Sequence, residues 1–460
     1  MGLGMTAAAT LLDPTLLKAS TNRANAGSAR GTLGGVHFSP KAKRVIYLFM
    51  SGGPSHIDLF DHKPRLQEEH GKELPTSIRG TQRVTLMTRG QKKFPCFGSP
   101  FQFARHGQSG QWFSNLVPHL AGVSDDLCMV KSVQTEPINH DPAMMFMQTG
   151  RGVPGRPSMG SWLHYGLGNE SENLPAYIVM TSGSPGQPIL SRYWHSGFLP
   201  SKYQGVQFQS TGDPVLFLSN PTGIDHQNRG RIIDLANGLN ALKYNQVGDP
   251  EIEARMDAFQ MAYQMQTSVP ELADFSDEPQ HILDLYGSDA KRQGSFAYQC
   301  LLARRLAERG VRFVQIFYGG WDHHGGLEKN IQVRAKETDQ ASAALIRDLK
   351  QRGMLDDTLV IWGGEFGRTA YTQGSNGRDH HPRCFTKVIA GGGFKGGLSY
   401  GSTDEYGYNI QESVVHVRDL HATLMHCMGI EHERFTYKFQ GLDAKLTGVE
   451  ESQVVHELLA

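Results

Sequence analysis

Residues 44–62 read RVIYLFMSGGPSHIDLFDH, and the fold is decided there. Residues 45–50 form an apolar run without polar alternation, closed by the turn-forming Ser51-Gly52-Gly53-Pro54. An apolar run this short between turn signals is a strand, and a strand with no polar face is covered on both sides. The pattern recurs at residues 174–180, at 311–318 ahead of Gly319-Gly320, and at 358–362 ahead of Gly363-Gly364. Between the last two, residues 334–352 place Ala341, Ala344, Leu345 and Leu349 on one helical face, bounded by Gly353. Residues 295–308, ending at Gly310, and residues 418–430 predict two further helices. The spacing therefore predicts an α/β fold, a mostly parallel sheet sandwiched between helices. Residues 181–290 break the alternation and predict a long insertion holding one polar helix over 250–266.

Composition narrows the function classes. Lys and Arg number 45 and Asp and Glu 45, so no basic excess draws the chain to nucleic acid. Glycine stands at 53 of 460 residues, above the ~7% that is usual, with much of the surplus at strand ends. The five cysteines (Cys96, Cys128, Cys300, Cys384, Cys427) never fall in a CxxC pair and predict buried thiols, not a zinc cage or a disulfide framework. No run reaches the ~18 apolar residues that a membrane span needs. Residues 1–40 divide from a single domain over 41–460. Their short apolar start and the Ala24-Asn25-Ala26 pattern predict an export signal, with a buried N-terminal helix as the alternative because no basic segment precedes it.

Ligands of open α/β sheets bind beyond the carboxyl ends of strands, and there the loops are dense in metal-ligand types. After the first strand come His56, Asp58, Asp61 and His62. GGWDHHGG supplies Asp322, His323 and His324; GGEFGRT supplies Glu365 and Arg368; GRDHHP supplies Arg378, Asp379, His380 and His381. Imidazole with carboxylate suits zinc first, then manganese or iron, with calcium a lesser alternative. Such a metal polarises an ester oxygen or activates water. Residues 132–150 read as a loop entering a helix, with His140 at its N-terminus, Pro142 in the first turn and Gly150 past the end. Its free N–H groups favour an anion, unless Asp141 merely caps the helix.

These residues resemble the bacterial family catalogued as domain of unknown function 1501, common in planctomycetes. The carriers are RVIYLFMSGGPSHIDLFDHKP, INHDPAMMFMQTGRG, GGWDHH, TLVIWGGEFGRT, GRDHHP and AGGGFKGG, over about residues 40–445. The resemblance implies the alkaline phosphatase and sulfatase superfamily, and twin-arginine export, although residues 1–26 lack the arginines. It implies Glu365 as a carboxylate ligand with Phe366 where a His is expected. Gly52 stands where the first metal-binding Asp is expected, so that His56 or Asp58 would substitute. Asp322 and His324, with His380 or His381, resemble the remaining ligands. His140 stands at the nucleophile position, where a sulfatase has Cys and a phosphatase Ser or Thr, leaving Thr135 as a fallback hydroxyl.

The function these readings predict is an exported metal-dependent hydrolase of phosphate or sulfate esters. Asp58, Asp322, His324, Glu365 and His380 surround the metal, His140 faces the reacting group, and Arg368 or Arg378 clamps the anion. Its partner would be a small anionic ester or a sulfated or phosphorylated polymer. The alternative is a catalytically silent metal-binding or structural protein on the same fold. A phosphate-shifting mutase using His140 is a third reading.

Overall fold

A computed structural model of the chain describes residues 31–183, 186–215 and 220–460. The export-signal reading of residues 1–26 lies outside them. Apolar runs set the strands: β1 (Arg44–Met50), β2 (Leu127–Gln134), β3 (Tyr177–Gly183), β4 (Val206–Gln207), β5 (Phe313–Gly319) and β6 (Thr358–Gly363). A hairpin follows, of β7 (Gly367–Gln373) and β8 (Gly377–His381), then β9 (Phe385–Ala390), β10 (Ser399–Tyr400) and β11 (Val415–His416). The main sheet has 9 strands in the order β10-β2-β9-β6-β1-β5-β3-β4, with β11 also on β2. β1 pairs in parallel with both β5 and β6, and β5 in parallel with β3. Only β9 runs against its neighbours, β6 and β2. Its direction follows from the hairpin, which turns the chain around before it re-enters the sheet.

The principal helices are α1 (His140–Thr149), α2 (Met159–Leu167), α3 (His226–Val247), α4 (Pro250–Ala273), α5 (Phe296–Glu308), α6 (Leu327–Gln351) and α7 (Val417–Cys427). They cover both faces, as the apolar strands require. Alternate residues of β1 divide between two cores. Ile46, Leu48 and Met50 pack with Leu301 and Leu306 of α5 and Leu345 and Leu349 of α6. Val45, Tyr47 and Phe49 pack with Met144 of α1, Trp162 of α2 and Leu420 of α7. Each such fully buried aliphatic side chain contributes about 1.5–3 kcal/mol over the exposed state. The α5 start is set by Ser295, whose side chain accepts from the Tyr298 N–H.

The differences from the sequence reading fall in residues 181–290, which also hold an unforeseen short helix over Gln280–Tyr286. α4 is longer than expected, with Pro270 inside it and ending at Ala273, its buried Met265, Val269 and Leu272 anchoring it to the α5–α6 core. α3 has no counterpart in the sequence reading, because its sequence is rich in Asn, Gln and Arg and it buries only Ile233 and Asn237. All five cysteines are buried free thiols. Among the described residues no helix is long and apolar enough to cross a membrane.

Candidate metal centre

Every chain segment that builds the centre leaves or enters the carboxyl edge of the sheet. β5 hands over to Gly320-Trp321-Asp322, pinned by the Trp321 N–H donating to the Ser51 carbonyl at 3.2 Å. Gly52, at φ 113°, lets the β1 loop lie against that segment: a Cβ there would sit 2.5 Å from the Asp322 backbone nitrogen. β2 leads into α1, whose first residue is His140. The β7–β8 hairpin carries Gln373 and returns His380 over the same point.

Ligand atoms of His140, Asp322, His324 and His380 all lie within 4.8 Å of one another. The Nε2 atoms of His140, His324 and His380 stand 3.1, 2.9 and 3.4 Å from Asp322 Oδ1. Each ring is held at its other nitrogen. His140 Nδ1 is 2.5 Å from Glu365 Oε1, His324 Nδ1 2.5 Å from Gln373 Oε1, and His380 Nδ1 2.8 Å from the Ile138 carbonyl oxygen. These three partners accept, so each Nδ1 carries the proton in the neutral ring and each Nε2 lone pair faces Asp322. Lone pairs converging on a carboxylate oxygen repel unless a cation sits among them. The Nε2 atoms of His140 and His380 have no hydrogen-bond partner. A carboxylate with imidazoles oriented from behind is the donor set of a transition-metal site.

Arg368 donates to Asp322 Oδ1 at 2.6 Å and Gln187 to Oδ2 at 2.9 Å. Burial opposes the Asp322 charge, but the three imidazoles around it and the Arg368 charge hold its pKa well below the usual range. Burial pushes His380 down to about 4. It also works against the His140 imidazolium, whose pKa the neighbouring Asp322 and Glu365 carboxylates nonetheless raise above the ordinary value. Solvent reaches the centre past Asp322 and His324, whose side chains are 16% and 23% exposed, while His140 and His380 are 6% and 4%.

The other residues singled out by sequence fall elsewhere. Glu365 does not join the four; it orients His140 and accepts from the Gly52 N–H at 3.1 Å. Asp58 and His56 do not replace the ligand missing at Gly52. Asp58 forms a fully buried pair with Arg378, at 2.8 and 3.0 Å, and His56 Nε2 donates to the Gly407 carbonyl at 3.0 Å. Asp61 pairs with Lys63 and His62 stacks on Phe103. Asp379 accepts from Thr85 and Thr88, and His381 Nε2 donates to the Tyr408 carbonyl at 2.7 Å. His323 is buried beside Trp321, and burial lowers its pKa to about 3. Thr135 lies outside the four; its hydroxyl is buried without a partner.

Both arginines expected to clamp an anion have protein partners in this structure. Arg368 spends its donors on Asp322 and the carbonyls of Gly52, Gly53 and Arg378. Arg378 spends its own on Asp58 and the Thr369 carbonyl, 4.6 Å over the Phe97 ring. Asp141 does not cap α1 either: Asn139 is the N-cap, without a side-chain bond, and Asp141 pairs with Arg192 and Tyr193. Phe366, where a further His ligand was expected, packs its ring 4.9 and 4.6 Å from His140 and His380. Gln373, Gln187 and the Ile138 carbonyl escaped the sequence reading, because an amide or a backbone oxygen carries no ligand signal.

A family model described as "Protein of unknown function (DUF1501)" matches residues 42–459. No curated protein matches the chain. Among solved structures, the chain is similar to a protein in the alkaline phosphatase superfamily from Vibrio parahaemolyticus. That likeness has 10% identity and a TM-score of 0.36, over 92% of this chain and 77% of that one. The chain is also similar to the C-terminal periplasmic domain of EcEptC from Escherichia coli, in complex with zinc (8% identity, TM-score 0.37, 87% of each chain). A third likeness is to the PsFucS1 sulfatase from Pseudoalteromonas sp. (11% identity, TM-score 0.34, 91% of this chain and 72% of that one).

Proposed function

We propose that this chain, which belongs to the family described as "Protein of unknown function (DUF1501)", is an exported metal-dependent hydrolase of phosphate or sulfate esters. The observation that carries the reading is the convergence of His140, Asp322, His324 and His380 at the carboxyl edge of the sheet, with each imidazole fixed at Nδ1. Those four residues would hold one divalent ion, zinc first, with manganese or iron as the alternatives that suit imidazole. A bound ion supplies Lewis acidity toward an ester oxygen and toward water.

The chain's own residues do the rest. Glu365, Gln373 and the Ile138 carbonyl keep the rings in the ligating tautomer. Arg368 holds Asp322 in place. The positive end of α1, which starts at His140, offsets the charge of an anionic ester. The substrate would be a small phosphate or sulfate ester or a sulfated or phosphorylated polymer.

A second reading, a metal-binding protein without turnover, is favoured by one observation: four protein ligands complete a tetrahedral zinc site, as structural zinc requires. The test is elemental analysis of the purified wild type and His380→Ala, followed by a screen of phosphate and sulfate esters. Stoichiometric metal and ester turnover, both lost in His380→Ala, are the expected result. Metal without turnover of any ester selects the second reading, and a wild type without metal overturns both.

A further inference from the structure

Residues 79–93 read RGTQRVTLMTRGQKK, which holds Arg79, Arg83, Arg89, Lys92 and Lys93 and no Asp or Glu. None of these cations forms an ion pair among the described residues, although Arg79 lies 4.7 Å over the Phe94 ring. At the apex stand Leu86 and Met87, 79% and 53% exposed, while Thr85 and Thr88 on either side are buried. A surface turn ordinarily takes Gly, Asn, Asp or Ser. Apolar residues exposed singly need no explanation. An adjacent Leu-Met pair at the tip of a turn, in a segment whose cations lack counter-charges, does.

Side-chain hydrogen bonds hold the apex. Thr85 Oγ1 lies 2.9 and 2.7 Å from the two Asp379 oxygens and donates to that carboxylate, as does Thr88 Oγ1. The Met87 N–H donates to Thr85 Oγ1 at 3.2 Å, and Gln91 Nε2 to the Thr372 carbonyl at 2.9 Å. The loop is thereby seated on the β7–β8 hairpin, which also carries Gln373 and His380. With the threonines turned inward to Asp379, Leu86 and Met87 are left facing solvent. A backbone fixed in this way lowers the ordering cost that a flexible loop meets on binding.

We propose that residues 79–93 dock this protein on an anionic lipid surface, Leu86 and Met87 entering the boundary between headgroups and acyl chains and the flanking cations meeting lipid phosphates. Both halves of the feature fit that partner, because apolar burial and attraction to anionic lipids add together in interfacial binding. A sulfated or phosphorylated polymer would use the cations and leave the Leu-Met pair in water. Docking through this loop sets the hairpin of the metal centre against the surface, and it does not depend on turnover there.

The test is flotation of the purified full chain with vesicles of equal parts phosphatidylglycerol and phosphatidylcholine, against vesicles of phosphatidylcholine alone. Binding is expected with the anionic vesicles only, and is expected to weaken at high salt as screening shortens the reach of the cations. Leu86→Ser/Met87→Ser is expected to lower the partition coefficient about 10-fold or more, as loss of a buried apolar side chain does. Arg83→Gln/Arg89→Gln is expected to lower it about 25-fold, about fivefold for each basic residue near an anionic surface. All four residues are exposed, so the urea transition is expected to stay where it is in wild type.

Met87→Cys supplies an independent readout. The five native thiols are buried, so a solvatochromic dye attaches at the apex, and its emission is expected to shift to the blue on addition of anionic vesicles. Failure of the wild type to float with anionic vesicles overturns the proposal. So does flotation that survives loss of the Leu-Met pair, or a dye whose emission does not move. Retention on dextran sulfate without flotation, lost in the arginine variant alone, overturns it in favour of an anionic polymer.

Discussion

Asp58 and Asp322 are both aspartates on segments that leave adjacent parallel strands, β1 and β5, Asp58 on the short helix His56–Leu59, and both meet a buried arginine with histidines close in sequence. Asp58 is fully satisfied. Arg378 grips both its oxygens, Ser55 donates to one of them at 2.5 Å, and no water reaches it. His56 and His381 give their Nε2 protons to the carbonyls of Gly407 and Tyr408, while His56 Nδ1 stays buried without a partner. Asp322 has its arginine on the same oxygen that three imidazoles approach, two of them with an unpartnered Nε2. A closed set of pairs builds rigidity, whereas an open set of donors facing one point builds a binding site.

The largest expected effect strikes the open cluster. Asp322→Ala is expected to lose stoichiometric metal altogether, read by elemental analysis after dialysis against a metal-buffered solution. Next comes the closed cluster. Asp58→Ala strands the buried Arg378 and is expected to lower the unfolding free energy by about 3–5 kcal/mol in urea. The protein that remains folded should keep its metal, and loss of metal there would erase the distinction between the clusters.

Gln373→Ala removes only the acceptor behind His324. Metal affinity is expected to fall about 10–100-fold, with the unfolding free energy in urea within about 0.5 kcal/mol of wild type, as for a surface change. The smallest effect concerns acid. Burial holds the His56 pKa below its ordinary value, so its stabilising contribution is full above about pH 6.5 and is lost as pH falls from there through the lowered folded value. Stability measured at pH 7 and pH 5 should therefore drop less in His56→Gln than in wild type.

Much of the architecture was legible because strands buried on both faces leave uninterrupted apolar runs, as in residues 45–50 and 358–362. α5, α6 and α7 were legible through the apolar face each turns to the core. α3 was not, since Leu239 and Leu242 stay exposed and nothing in its pattern distinguishes a helix lying on α4 from a polar loop. At the site, Asp322, His324 and His380 stood out by residue type and position. His140 stood out too, but as a group facing the substrate, whereas the structure sets its Nε2 among the other three ligand atoms.

By itself the sequence determined that histidines and carboxylates collect at the carboxyl edge of a covered parallel sheet, because glycine-closed apolar runs leave their loops nowhere else to go. Tertiary structure alone decided which of them converge. Sorting Asp322 from Asp58, or His380 from His381, depends on ångström-scale differences set by strand register and by contacts such as His140 with Glu365, 225 positions apart. Residue type records which atoms are able to bind a metal ion. Only packing records which of those atoms already have a partner.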